Sequence, residues 1–192
     1  MADKHLYIIA GCNGAGKTTA SMTLLPKSLL VKEFVNADEI ARGLSPFNPE
    51  GVAIEAGKLM LQRIDFLLEK KESFSIETTL ATKSYLHLVH RAHQKGYVVH
   101  IIFFWLNTPE HAIIRVSERV RQGGHGIPIE TIKRRYVRGI SNLFKLYMKE
   151  VDIWSIYDNS EQPRECVAYG GREIETIVYS ITKYERIKKY VK

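Results

Sequence analysis

Eight consecutive residues, Gly11-Cys12-Asn13-Gly14-Ala15-Gly16-Lys17-Thr18, fit the spacing G-x-x-x-x-G-K-[ST]. Three glycines let a backbone curl until its N–H groups converge on phosphate oxygens, and a following helix N-terminus adds partial positive charge. The context suits this reading: the apolar run Leu6–Ala10 reads as a strand, and a helical pattern runs from the loop to about Leu25. The expected cradle for ATP, or for GTP in its place, is Gly11, Asn13, Gly14, Ala15, Gly16, Lys17, Thr18 and Thr19. Lys17 would reach the β- and γ-phosphates and act catalytically, while the Thr18 hydroxyl would take a Mg2+ coordination position. Cys12 has no base beside it in sequence and reads as a packing residue.

Two acids follow short apolar runs, in Asn36-Ala37-Asp38-Glu39 and in Ser75-Ile76-Glu77-Thr78-Thr79. In an open parallel sheet, ligands bind outside the carboxyl ends of the strands. Phosphoryl transfer to a hydroxyl uses one carboxylate to accept the proton and orient the attacking oxygen, and a second oxygen donor to help hold the metal. Asp38 suits the first role and Glu77 the second, with Thr79 beside them facing the acceptor. Each has a plainer reading: Asp38 as the N-cap of the helix that begins near Glu39, Glu77 as an exposed acid at a strand end.

A third group is basic. Arg115, Arg119 and Arg121 precede Gly123-Gly124-His125-Gly126-Ile127-Pro128, and Arg134, Arg135 and Arg138 follow it. Arg115 and Arg119 are four apart and share a helix face. Two basic helices joined by glycines make a lid over about 109–142 whose closure would carry guanidinium groups onto the transferring phosphoryl. Arg119 is the first choice for that task, and Arg121 and Arg135 are expected at the nucleotide. His125 in the hinge could donate to phosphate. The plainer reading is a pair of solvated amphipathic helices.

These residues need a scaffold of strands alternating with helices. Short apolar runs at Leu6–Ala10, Phe34–Asn36, Phe74–Ile76, Val98–Leu106 and Ile153–Tyr157 are separated by helical patterns over Pro49–Lys71, Lys83–Lys95, Pro109–Gln122 and from Pro128. Alternation of this kind predicts an α/β three-layer sandwich with a mainly parallel sheet of about five strands. Cys166–Tyr169 reads as an edge strand and Glu173 onward as a closing helix. The expected helix stripes include Ala112, Ile113, Val116 and Val120, and then Ile129, Ile132, Tyr136, Ile140, Leu143 and Tyr147. All 192 residues read as one domain. No run of 18 apolar residues suggests a membrane span, and two cysteines make no disulfide framework. The chain is expected to be cytoplasmic. Its net charge of +7 favours anionic partners; the basic stretch Lys183–Lys192 reads as a solvated helix end, which favours a small anion over nucleic acid.

The stretches GCNGAGKTT, NADEIARGLSP, EAGK, SFSIETTL and RVSERVRQGGHGIPIETIKRRY together resemble the zeta-toxin family of P-loop kinases, from about Leu6 to Asn142. The resemblance implies an ATP-dependent kinase with a five-stranded parallel core, whose best-known members phosphorylate UDP-N-acetylglucosamine. By motif it places Lys17 and Thr18 in the phosphate loop, Asp38 as catalytic base, Glu77 as the acid after the third strand, and one catalytic arginine at Arg119, with Arg115 the other candidate. Two positions depart from the pattern. His125 is the nearest match where typical toxins carry a lid arginine, and apolar Leu61 stands about where, by spacing from Glu77, the family carries an acid that helps bind the UDP-sugar. The combined expectation is a small-molecule kinase, with a polynucleotide 5′-kinase or a nucleotide-dependent switch as alternatives. An antitoxin partner is a family property that no segment of this chain indicates.

Overall fold

The computed structural model describes residues 3–27, 29, 31–124 and 126–191. Its centre is β1 (Lys4–Gly11), buried on both faces over its last six residues. Such a strand needs cover on both sides, which is how a parallel sheet is arranged. The neighbours of β1 are β3 (Phe74–Thr78) and β4 (Tyr97–Trp105), both parallel to it. β2 (Glu33–Val35) adds outside β3, and β5 (Ile153–Asp158) outside β4, again in parallel. Two antiparallel strands, β6 (Glu165–Gly170) and β7 (Ile177–Val178), extend the far side. The order is β2-β3-β1-β4-β5-β6-β7.

Helices α1 (Lys17–Lys27), α2 (Ala37–Leu44), α3 (Ala53–Lys70), α4 (Tyr85–Gln94), α5 (Pro109–Arg121) and α6 (Ile129–Asn142) fill the crossovers. A π-helical turn at Leu143–Tyr147 leads from α6 into a short α7 (Met148–Glu150), and α8 (Ile181–Lys188) closes the chain. α3 buries Ala56, Met60, Ile64, Leu67 and Leu68, the 3.6-residue stripe of a helix laid on a sheet. The sheet holds it by a bond as well, since the Tyr97 hydroxyl donates to the Glu72 carbonyl just past its end at 2.8 Å.

The fold bears out the mixed α/β sandwich and the five parallel strands, and it corrects several details. Cys166–Tyr169 lies within β6, which is an inner strand because β7 pairs outside it. The helix expected from Glu173 begins only at Ile181. The spacing of Ile174, Ile177, Val178 and Ile181 suits a helix, but Gly171 donates to the Ile174 carbonyl to make a turn, and Val178 then pairs with Ala168. The Pro49–Lys71 helix opens with a separate 3-10 turn, Pro49–Val52, before α3. Val120 and Ile129, expected to be packed, are 42% and 52% exposed, because they lie where α5 ends and α6 begins. Pro128 stands one residue earlier than the first helical position, as the N-cap residue of α6.

One buried polar contact fastens α6 to the sheet. The Tyr136 hydroxyl donates to the Leu106 carbonyl at 2.6 Å and accepts from Trp105 Nε1 at 2.9 Å. All of this is buried, and burial pushes the phenol far above its ordinary range. Tyr136→Phe would leave a buried indole N–H and a buried carbonyl unpaired, at a cost of about 1–3 kcal/mol. We expect its melting temperature to fall by roughly 2–4 °C for each kcal/mol lost in a chain of this size. A melting temperature equal to wild type in calorimetry would refute this role.

Candidate active site

The phosphate loop takes its shape from close backbone contacts. Gly11, Gly14 and Gly16 all have positive φ, of 142°, 77° and 76°. A Cβ on Gly14 would come within 2.8 Å of the Ala112 carbonyl, and one on Gly16 within 2.6 Å of the Asn159 amide nitrogen. Gly11 lies against the Phe104 carbonyl, since Gly11 pairs with Phe104 in the sheet. β4, α5 and the turn after β5 therefore press on three sides of the loop. Asn159, 5% exposed, donates to the Ala15 carbonyl at 2.8 Å. Asn159 follows Asp158, the partner of Trp105 in the sheet, so strand register delivers it to the loop.

Lys17 is buried to 6% exposure; its ammonium donates to the Cys12 carbonyl at 3.1 Å and lies 3.5 Å from Glu77 Oε1. The other Glu77 oxygen accepts from Thr18 Oγ1 at 2.8 Å and from Asn36 Nδ2 at 2.9 Å. Register explains the meeting: Ile9 pairs with Glu77 and Val35 with Ile76, so Glu77 rises between the phosphate loop and the residue after β2. Glu77 is thus a held carboxylate, which removes the reading of an exposed strand-end acid. Burial pushes the Cys12 thiol up to about 11, despite the nearby Lys17, as expected of a packing residue.

The cap of α2 is Asn36, whose side-chain oxygen accepts from the backbone N–H of Asp38 at 2.8 Å and of Glu39 at 3.4 Å. Asp38 is thereby released from the capping role and stands in the first turn of α2. Its side chain lines a cavity of about 310 Å³ shared with Arg42, Glu50, Arg119, Thr131 and Arg135. Arg135 also donates to Asn13 Oδ1 at 3.2 Å, which ties this cavity to the phosphate loop.

The other candidate residues fall as follows. Arg115 donates to the Ser160 carbonyl at 2.8 Å and packs beside Gly14, away from the Asp38 cavity. Arg121 and Thr19 are exposed, and Arg121 does not line that cavity. Thr79 is half-buried, with its carbonyl against Gly139 of α6. Leu61 is 60% exposed and lines a neighbouring groove of about 480 Å³ between α3 and α4. His125 lies outside the described residues.

The first two glycines after α5 cap that helix. Gly123 has φ 84°, its N–H donates to the Val120 carbonyl, and the Gly124 N–H donates to the Arg119 carbonyl at 2.9 Å. This is a Schellman cap, which ends α5 at Arg121. A Cβ on Gly124 would come within 2.6 Å of Arg119 Cγ and 2.8 Å of its carbonyl oxygen. The glycine therefore helps seat Arg119, and Arg119 and Arg135 stand at the cavity with α6 already fastened by Tyr136. Sequence reading missed Asn36, Arg42, Glu50, Thr131 and Asn159. A signal for Asn36 was present, since Asn three residues before Glu is a helix-start pattern; Asn159 shows itself only through the sheet register.

The zeta toxin family model matches residues 2–164. An uncharacterized protein of Haemophilus influenzae is 30% identical over 136 residues, covering 71% of this chain and 94% of the relative. Among solved structures, the AvrRxo1-ORF1:-ORF2 complex with ATP aligns with a TM-score of 0.79 at 18% identity, over 97% of this chain and 64% of the other. The PezAT chromosomal toxin–antitoxin system of Streptococcus pneumoniae aligns with a TM-score of 0.69 at 17% identity, over 99% and 79%. This chain thus spans under two thirds of the AvrRxo1 chain. No helix among the described residues is long and apolar enough to cross a membrane.

Asn36 combines a helix cap with an anchor for Glu77, so its loss should be felt twice. Asn36→Ala is expected to lower stability by about 1–2 kcal/mol, the upper range for a lost cap. Urea unfolding measures this, and a midpoint matching wild type would show that neither contact stabilises the fold.

Proposed function

We propose, from the premise that the chain belongs to the zeta toxin family, that it moves the γ-phosphoryl group of ATP onto a hydroxyl of a small anionic acceptor. The observation that carries this reading is the shared cavity: Asp38, Arg119 and Arg135 line one space, and Arg135 is bonded to the phosphate loop. ATP in the AvrRxo1-ORF1:-ORF2 structure supports ATP as the donor, with GTP the second nucleotide to assay. UDP-sugars are the first acceptors to assay, although Leu61 gives this chain no acid at that point on α3. Arg42, Arg119 and Arg135 give the cavity its preference for an anion.

The phosphate loop binds the triphosphate through its N–H groups, from Gly11 to Thr18, and Lys17 exchanges the Cys12 carbonyl for phosphate oxygens. Asp38 accepts the hydroxyl proton as the acceptor oxygen attacks the γ-phosphorus in line. The bond between that phosphorus and the β–γ bridging oxygen breaks, leaving ADP and a phosphomonoester. Arg119 and Arg135 meet the equatorial oxygens, where charge is greater in the transition state than before it. The Thr18 hydroxyl and Glu77 carboxylate, 2.8 Å apart, are hard oxygen donors of the kind Mg2+ accepts beside substrate phosphates. Magnesium bound there would neutralise charge shared between the β- and γ-phosphates.

Transfer from γ-labelled ATP tests the assignment of roles. Asp38→Asn keeps the shape but cannot take the proton, so transfer should fall about 10²–10⁴-fold with ATP affinity nearly unchanged. Lys17→Ala should lose both transfer and ATP affinity while the fold persists. Wild-type turnover in either variant would overturn this mechanism, and an equal loss of ATP affinity and rate in Asp38→Asn would make Asp38 a metal ligand.

A further inference from the structure

Helix α6 passes the carboxyl ends of β1 and β3, and one of its faces carries a row of contacts. Arg135, Gly139 and Asn142 are spaced four and three apart, so they share that face. Arg135 donates to Asn13 Oδ1 of the phosphate loop at 3.2 Å. Gly139 lies against the exit of β3, where a Cβ would come within 2.6 Å of the Thr79 carbonyl oxygen. Asn142 Nδ2 donates to the Leu80 carbonyl at 2.8 Å. The seven residues from Arg135 to Asn142 cover about 10 Å of axis. One helix face thus runs from the phosphate loop to the turn that follows Glu77.

That turn is buried and strained. Leu80 has φ 58°, in the left-handed region that a non-glycine residue keeps only where its surroundings demand it. Three contacts make the demand: the Leu80 side chain is wholly buried, its N–H donates to Thr78 Oγ1 at 3.0 Å, and its carbonyl is the one Asn142 holds. The π-helical turn after α6 extends the row. Residues five apart diverge on an α-helix but stack in an i→i+5 turn, which returns Tyr147 to the side of Asn142. The Tyr147 hydroxyl donates to the Thr82 carbonyl at 2.9 Å. Three residues of one helical run therefore meet the carbonyls of Thr79, Leu80 and Thr82. A glycine inside a helix is less favourable than alanine, so Gly139 has a reason to be there: only a residue without Cβ lets α6 come this close.

We infer that Gly139 and Asn142 are positioning residues for Arg135. They seat α6 on the exit of β3, and that seat sets how far the Arg135 guanidinium reaches over the phosphate loop. Through Arg135 it sets the preference for a nucleotide that carries a γ-phosphate. Gly139 and Asn142 act only through the helix. This inference rests on the place given to Arg135 in the kinase reading above.

The test is a titration of the whole chain, with magnesium, by two probes: ADP and a non-hydrolysable ATP analogue. The quantity read is the ratio of their affinities, and ADP binding reports that each variant is folded. Wild type should favour the ATP analogue. Arg135→Ala should lower the ratio about 10- to 100-fold, the worth of a hydrogen bond between charged groups. Gly139→Ala raises helix propensity, so a loss there cannot come from a weaker helix. The added methyl forces α6 away from Thr79, and the ratio should fall about 10-fold, as expected of a group displaced by close to an ångström. Asn142→Ala removes the bond without adding bulk and should lower the ratio in the same direction. The decisive variant joins Gly139→Ala to Arg135→Ala: its ratio should equal that of Arg135→Ala alone, because nothing is left to misplace. If Gly139→Ala binds neither nucleotide, the same cycle is run with Asn142→Ala in its place. A wild-type ratio in Arg135→Ala, in Asn142→Ala or in a folded Gly139→Ala overturns the inference, as does a further fall in the double variant. Equal affinity of wild type for both probes overturns it too, while leaving the phosphate loop as a nucleotide site. Failure of wild type to bind either nucleotide defeats the kinase reading and this inference with it.

Discussion

The site depends on one steric constraint: the phosphate loop must lie closer to its neighbours than any side chain allows. Gly14 meets the Ala112 carbonyl of α5, and Gly16 meets the Asn159 amide. Both also hold positive φ, which would strain an L residue and which glycine adopts without that cost. Once the loop lies this way, its neighbours are fixed in turn. The Asn159 bond to Ala15 closes its underside, and the contact with Ala112 sets the start of α5. The position of Arg119, two turns along that helix, follows from the same contact.

Electrostatics complete what packing begins. Lys17 is almost wholly buried, and a buried ammonium requires partners. Glu77 and the Cys12 carbonyl provide them. Glu77 in turn receives Thr18 and Asn36, so a single carboxylate joins the phosphate loop, the first helix and the end of β2. Asn36 then caps α2, and this places Asp38 in the first turn of that helix. The chain of dependence runs from glycine sterics through a buried ion pair to the orientation of the residue proposed as base.

The phosphate loop was legible in the sequence because its chemistry is local: residue types, spacing and flanking elements all lie within twenty positions. The parallel strands were legible for a similar reason, as apolar runs that need cover on both faces. Arg119 could be favoured over Arg115 by motif, but only the fold shows Arg115 occupied by the Ser160 carbonyl. The capping role of the glycines after α5 was not legible, because composition does not show a Schellman cap; the bonds from Gly123 and Gly124 do. Asn159, Thr131 and Arg42 were illegible, since each reaches the site through register or helix packing. β7 escaped notice because two residues are too few to show a strand period.

The central claim is that the phosphate loop and the Asp38 cavity form one transfer site, in which a γ-phosphoryl leaves ATP for an organic hydroxyl. The most direct measurement follows the label. The protein is incubated with magnesium, ATP carrying heavy oxygen on its γ-phosphate, and a metabolite extract, and the products are separated by mass spectrometry. The account predicts a labelled phosphomonoester formed in equal amount to ADP. Label found wholly in inorganic phosphate would make the chain a nucleotide hydrolase or switch and contradict it.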